Sequence, residues 1–343
     1  MDTALALPTQ PKLRPDRDPD AVSALASLLG DDMNLVNELI VERMDSSVAL
    51  IPVVASHLIQ AGGKRLRPLI TLATARLFDA QGVNHVKLAA AVEFIHTATL
   101  LHDDVVDASA LRRGNQTANM VWGNQASVLV GDFLFAKSFN LMVEVGDIRI
   151  LDILASASSV IAEGEVMQLA ATADIDVTRK TYLDIVAAKT AALFAAAARV
   201  GGVSAGCSRK HELALEAFGR SFGIAFQLVD DALDYSGRET ELGKSIGDDF
   251  REGKITLPVV LAYARGGDAE RIFWRRVIES GDQREGDFAH ALTLLNHHDT
   301  MPETIAEARR YAEEARGALD HLPDNAHHEA LDRLVDFCID RAY

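Results

Sequence analysis

Cysteine is nearly absent: the 343 residues contain two, Cys207 and Cys338, far apart and outside any close Cys/His spacing. That leaves no structural zinc pattern and no disulfide framework, and it fits a reducing compartment, so a cytoplasmic protein is expected. Proline crowds the start, at Pro8, Pro11, Pro15 and Pro19, and is missing from Leu69 through Leu257. Positive charge is in deficit, with 34 Lys+Arg against 50 Asp+Glu and a formal net charge of −16. This excludes a nucleic-acid partner held by a generally basic surface. Every long apolar segment is broken by a charge within the roughly eighteen residues that a spanning helix needs, so no transmembrane segment is expected. The start of the chain also lacks the basic, apolar and small-residue layout of a secretory signal.

What is present is length and apolar content. At 48% hydrophobic residues the chain can bury a full core. Proline costs about 3 kcal/mol inside a helix, so a long proline-free interval rich in Ala and Leu predicts an all-helical body. Val22, Leu25, Leu28, Leu29, Met33, Val36, Leu39 and Ile40 recur at three- and four-residue spacing and predict one amphipathic helix. Further helices are predicted over 68–77, 86–107, 127–145, 151–169, 178–200 and 212–235, and period-two alternation is nowhere persuasive, so no sheet is expected. Ala187 to Ala198 is almost wholly apolar, which predicts a central helix, with Gly201 and Gly202 as its stop. The expected organisation is a flexible N-terminal arm, 1–20, and a single all-α helical bundle domain, 21–343.

Two acidic clusters stand at the ends of apolar helices. Leu100-Leu101-His102-Asp103-Asp104-Val105-Val106-Asp107 places Asp103 and Asp107 on one helix face, with Asp104 about 100° around the axis. Phe226-Gln227-Leu228-Val229-Asp230-Asp231-Ala232-Leu233-Asp234 repeats that spacing. Like charges at i,i+4 repel, and a helix C-terminal end disfavours aspartate, so both clusters are locally unfavourable without a bound cation. All-oxygen donors without nearby Cys favour Mg²⁺ over zinc, and Mg²⁺ usually shares its shell with substrate phosphate oxygens. Lys64, Arg65 and Arg67 on the turn before Pro68, and Arg112-Arg113 after the first cluster, supply the cations that a diphosphate requires.

The segments GGKRLRP, LLHDDVVD, RRGN, Lys189-Thr190, FQLVDDALDY and GKSIGDDFREGKITLP, in this order, resemble the trans-isoprenyl diphosphate synthases, the head-to-tail polyprenyl synthetases, over roughly residues 30 to 340. The resemblance implies an all-helical fold around a deep central cavity, usually in a homodimer, with the two motifs facing each other across its mouth. It implies that isopentenyl diphosphate attacks the cation left when an allylic diphosphate, such as farnesyl diphosphate, ionises. On that pattern Asp103, Asp104, Asp107, Asp230, Asp231 and Asp234 hold three Mg²⁺ ions or take part in their shells, Mn²⁺ being a substitute. Arg112, Lys189, Lys244 and Lys254 hold the allylic diphosphate, and Lys64, Arg67, His96 and Arg113 surround isopentenyl diphosphate. Thr190 and Gln227 turn neutral oxygens toward the cationic carbons.

The growing chain must run beside the helix that precedes the first cluster. Thr99 and Ala98, one turn below Asp103, are small and leave that level open, where an aromatic residue would floor it. This favours resemblance to long-chain synthases, with an all-trans product of roughly thirty to fifty carbons such as a quinone side-chain precursor, over farnesyl or geranylgeranyl synthases. Phe94 and the helix from Val160 to Leu169 are candidates for a deeper floor, and release of the oily product could involve transient membrane contact. A di-iron bundle requires a second Glu-x-x-His beside Glu93 and His96, and none is found. A terpene cyclase normally lacks the isopentenyl-binding bases, and a non-catalytic partner subunit loses aspartates that are complete here.

Overall fold

The computed structural model describes residues 21–60, 63–112, 114–172, 174–236 and 247–341. The expected N-terminal arm, Arg113 and Lys244 lie outside the described residues.

The chain is helical almost throughout. The first helices are α1 (Ala21–Leu28), α2 (Gly30–Met44), α3 (Leu50–Gln60), α4 (Leu66–Arg76) and α5 (Asn84–Val106). The predicted amphipathic helix over 22–40 is therefore two helices, parted at Leu29, whose backbone (φ −105°, ψ 17°) leaves the helical region. A two-residue ladder follows, β1 (Leu111–Arg112) paired antiparallel with β2 (Asn115–Gln116). Period-two reading misses it because two residues are too short to alternate. Next come α6 (Ala118–Trp122), α7 (Asn124–Val145), α8 (Ile148–Ala171) and α9 (Arg179–Val186). A π-helical turn, Ala187–Ala191, joins α9 to α10 (Ala192–Ser204), and α11 (Arg209–Asp234) follows. The remainder is α12 (Asp248–Arg251), α13 (Leu257–Arg265), α14 (Asp268–Trp274), α15 (Asp287–His297), α16 (Thr300–Leu319) and α17 (Ala326–Asp340), with a second π turn at Arg275–Glu279.

Burial explains the arrangement. α10 is apolar on nearly every face, Arg199 being its one charge, and it packs against α4, α5, α8 and α11, as its composition predicts for a central helix. Gly201 and Gly202 do not stop it, because α10 runs on to Ser204. A Cβ on Gly201 would strike Thr71 and Thr74 of α4, so glycine serves there to let two helices touch. The main core joins α1–α5, α7–α11, α16 and α17, and a smaller cluster gathers Tyr235, Phe250, Tyr263 and Trp274 around α13 and α14. Cys207 and Cys338 are free and buried.

Among the described residues one helix, α7, is long and apolar enough by composition to cross a membrane, with 39% of its apolar window buried. It carries Asp132 and Lys137, and Ser127 Oγ donates to Leu101 O at 2.8 Å, fixing α7 against α5.

Candidate active site

A cavity of about 650 Å³ opens between α5, α8, the π turn and α11. Glu93, His96, Thr99, Leu100 and Asp103 of α5 and its C-cap Asp107 line it at three- and four-residue spacing, one face of a single helix. Ala98 and Phe94 face elsewhere; both are buried in the core, so Thr99 alone of the two small residues borders the cavity. Ile161, from the other floor candidate, does border it.

Asp103 and Asp107 are met by lysines from distant elements. Lys189 Nζ is 3.6 Å from Asp103 Oδ2 and 2.6 Å from Glu165 Oε2. Lys254 Nζ is 3.5 Å from Asp107 Oδ2 and 2.6 Å from Glu252 Oε2. The π turn places Lys189 and Thr190 on the cavity wall, where an extra residue in the turn redirects side chains from a regular helix. A Cβ on Gly164 of α8 would stand 2.8 Å from the Lys189 amide nitrogen, so glycine allows this turn to lie close. Just past Asp107, Ala108 takes φ 50°, and Arg65, between Lys64 and Arg67, takes φ 46°. Left-handed backbone at non-glycine residues costs of order 1 kcal/mol, and both cases flank the cavity.

Asp104 turns away from the wall. Its carboxylate is fully buried, and Arg112 Nε and Nη2 both donate to Oδ1, at 2.9 and 2.7 Å. The short ladder brings Arg112 back onto it, and Asn119 Nδ2 donates to the Asp104 carbonyl at 3.1 Å. Arg112 itself still lines the cavity.

The second cluster is used differently. Asp230 and Asp231 border the cavity, whereas Asp234 accepts the backbone N–H groups of Asp248 and Asp249, each at 3.1 Å. It thus caps α12 and brings Asp248 and Asp249 to the wall. Asp231 accepts from Tyr182 Oη and from Gln227 Nε2 at 2.8 Å, and Gln227 Oε1 accepts from Thr190 Oγ1 at 3.1 Å. Elsewhere on the wall Lys64 stands 4.4 Å over the Phe337 ring. Arg67 lies 4.1 Å over Phe194, with its Nη1 3.2 Å from His96 Nε2.

Burial drives the electrostatics. It raises Asp103 above the usual carboxylate range against the pull of Lys189, and it pushes Glu165 up to about 7, helped by Asp103. Asp231 is likewise pushed up to about 7 by burial, then by Asp249. Burial works against the charge on Lys254, but Asp249, Glu252 and Asp107 more than offset it and raise its pKa. Asp103 is thus a partly buried carboxylate whose lysine sits closer to another acid, and every acidic donor on the wall is oxygen. That donor set fits a hard divalent cation. Two other clusters with ligand-like spacing, Glu270 with His297 and His298, and Asp174 with Asp176 and Glu279, do not border this cavity.

Sequence reasoning missed several wall residues. Glu165 stands two residues after Glu163 across Gly164, and nothing local in the sequence tells which of the two faces the cavity. Asp248 and Asp249 stand inside the GKSIGDDFREGKITLP segment. Arg341 gave no local signal; it packs 4.7 Å over Phe226 and 3.5 Å from Asp230, and its buried terminal nitrogens have no hydrogen-bond partner among the described residues.

Known proteins are similar to this chain in sequence and fold. The family model for polyprenyl synthetase matches residues 48–295. The octaprenyl diphosphate synthase of Escherichia coli is 43% identical over 314 residues, covering 92% of this chain and 97% of that one. The crystal structure of a decaprenyl diphosphate synthase from Rhodobacter capsulatus superposes with a TM-score of 0.90 at 54% identity, over 94% of this chain and 99% of that one. A polyprenyl synthase from Caulobacter crescentus, complexed with calcium and isoprenyl diphosphate, gives 0.91 at 53% identity, over 96% and 100%. Because similarity runs nearly end to end in both sequence and fold, the chain belongs to the polyprenyl synthetase family and is a trans-prenyltransferase.

Proposed function

We propose that this prenyltransferase condenses isopentenyl diphosphate head-to-tail with an allylic diphosphate, such as farnesyl diphosphate, into a long-chain all-trans polyprenyl diphosphate. One observation carries the reading: a single cavity has acids of both motifs on its wall and the bases Lys64, Arg67, Arg112, Lys189 and Lys254 around them. The long-chain product is supported by the octaprenyl and decaprenyl synthases among the relatives and by small Thr99 at the wall. A quinone side chain is the proposed destination of that product, and the cytoplasm its place of synthesis.

Asp103, Asp107 and Asp230 are the proposed Mg²⁺ ligands, three ions being the expected number. Bound Mg²⁺ would withdraw charge from the allylic diphosphate as it departs. Lys189, Lys254, Arg112 and Lys244 hold that diphosphate, and fixed cations there need no reorganisation as its charge grows. Lys64, Arg67, His96 and Arg113 orient isopentenyl diphosphate so that its double bond faces the allylic carbon. Thr190 and Gln227 offer dipoles to the cation, which stabilise it without an anion that would capture it. The apolar wall formed by Ile161, Leu193 and Phe194 keeps water from the cation. Exposed Leu129, Val143, Val166 and Leu169 on α7 and α8 support pairing with a second copy of the chain.

Purified protein incubated with Mg²⁺, isopentenyl diphosphate and farnesyl diphosphate tests this reading, with chromatography of the dephosphorylated products. Chain-extended alcohols are expected, and Thr99→Phe should shorten them by narrowing the wall. Free farnesol or a cyclic hydrocarbon as the sole product would overturn the reading.

A further inference from the structure

We infer that Tyr182 is a positioning residue for the condensation, acting through Asp231 to fix which end of the Gln227 amide faces the reacting carbons. The inference rests on the proposed function and deepens it.

The geometry is a directed chain of hydrogen bonds across three elements. Tyr182 of α9 is buried, and its hydroxyl donates to Asp231 Oδ2. The Leu257 amide, at the start of α13, donates to the same oxygen at 3.4 Å. Gln227, one helical turn before Asp231 on α11, donates its Nε2 to Asp231 Oδ1 at 2.8 Å. In its ionised form the Asp231 carboxylate can only accept, so it selects the amide nitrogen of Gln227 and excludes the flipped rotamer, which would set oxygen against oxygen. The Gln227 carbonyl is thereby turned toward the π turn, where Thr190 Oγ1 donates to it at 3.1 Å. Both residues border the cavity.

This ordering settles the sign of the dipole at the wall. A carbocation is stabilised by carbonyl and hydroxyl oxygens and destabilised by an amide N–H, so a reversed Gln227 would oppose ionisation. Asp231 can hold the amide only if its own carboxylate is held. The Tyr182 hydroxyl does this from a helix outside α11, as the outer partner of a ligating group fixes its orientation. Without that hydroxyl only the long bond from the Leu257 amide holds Oδ2, so the carboxylate can rotate away and Gln227 samples both orientations.

Tyr182→Phe keeps the ring and removes only the donor. The expected result is a loss of about tenfold to a hundredfold in kcat, with KM for both diphosphates within about twofold of wild type. A second readout is leakage: water capturing the allylic cation releases a proton and leaves allylic alcohol plus diphosphate, so alcohol per condensation should rise. Gln227→Leu removes the oriented group itself, and adding Tyr182→Phe to it should cost almost nothing further. Calorimetry of Mn²⁺ with inorganic pyrophosphate should give the same affinity for wild type and Tyr182→Phe, since the hydroxyl acts on the amide and not on the ions. Wild-type kcat in Tyr182→Phe, losses that multiply in the double variant, or weakened Mn²⁺ binding would each overturn the inference. Failure of the proposed function is separable, because wild-type protein would then give no extended product.

Discussion

The helix ends at Asp103-Asp104-Val105-Val106-Asp107 and Asp230-Asp231-Ala232-Leu233-Asp234 share one spacing, yet they spend their carboxylates differently. In the first, the outer pair Asp103 and Asp107 lines the cavity while Asp104 is buried on Arg112. In the second, the adjacent pair Asp230 and Asp231 lines it while Asp234 caps α12. The chain that follows each helix makes the difference. After α5 the β1–β2 ladder returns an arginine, and after α11 the start of α12 presents the N–H groups of Asp248 and Asp249 to Asp234. Periodicity determines which acids share a face, and the next loop determines which of them the protein keeps for itself.

That contrast can be broken most strongly at Asp103. Asp103→Ala should lower turnover by at least about a thousandfold, because the removed group is proposed to act directly on the departing charge. Its melting temperature should hold or rise, since burial and Asp107 both disfavour the charged form. Asp104→Ala should reverse the pattern. It leaves Arg112 without its buried partner and should cost about 1–3 kcal/mol in denaturant unfolding, with a smaller loss of turnover. Asp234→Ala removes a cap and should cost about 1 kcal/mol, with turnover reduced through misplacement of Asp248 and Asp249. Equal stability losses at Asp103 and Asp104 would contradict the division of roles.

The smallest expected effect is in pH. Glu165 holds its proton up to about 7 in the fold against an ordinary 4.5. A carboxyl raised in this way binds more protons folded than unfolded, so stability falls as pH rises from the ordinary value through the folded one. In metal-free protein the melting temperature of Glu165→Gln minus that of wild type should therefore widen in favour of the variant from about pH 5 to about pH 8. A flat or narrowing difference would remove Glu165 from this electrostatic account.

Local pattern made much of the fold legible. Proline-free length and apolar spacing predict α5, α7, α8 and α11, and the apolar character of Ala187–Ala198 predicts a central helix. Leu29 escaped because its apolar spacing continues across the break. Gly201-Gly202 misled because a glycine reads alike whether it ends a helix or admits a neighbour, and only the position of Thr71 tells them apart. The site was legible where spacing reports a shared face, as for Asp103 and Asp107. It was illegible where partners meet across the fold, as Tyr182 meets Asp231, or Arg341 meets Asp230.

The most direct test of the central claim is anomalous diffraction from crystals soaked with Mn²⁺ and pyrophosphate. Manganese peaks are expected beside Asp103 and Asp107 and beside Asp230, within one cavity, with none at Asp104 or Asp234. Peaks at Asp104 or Asp234, or manganese held only at Glu270, His297 and His298, would contradict the account.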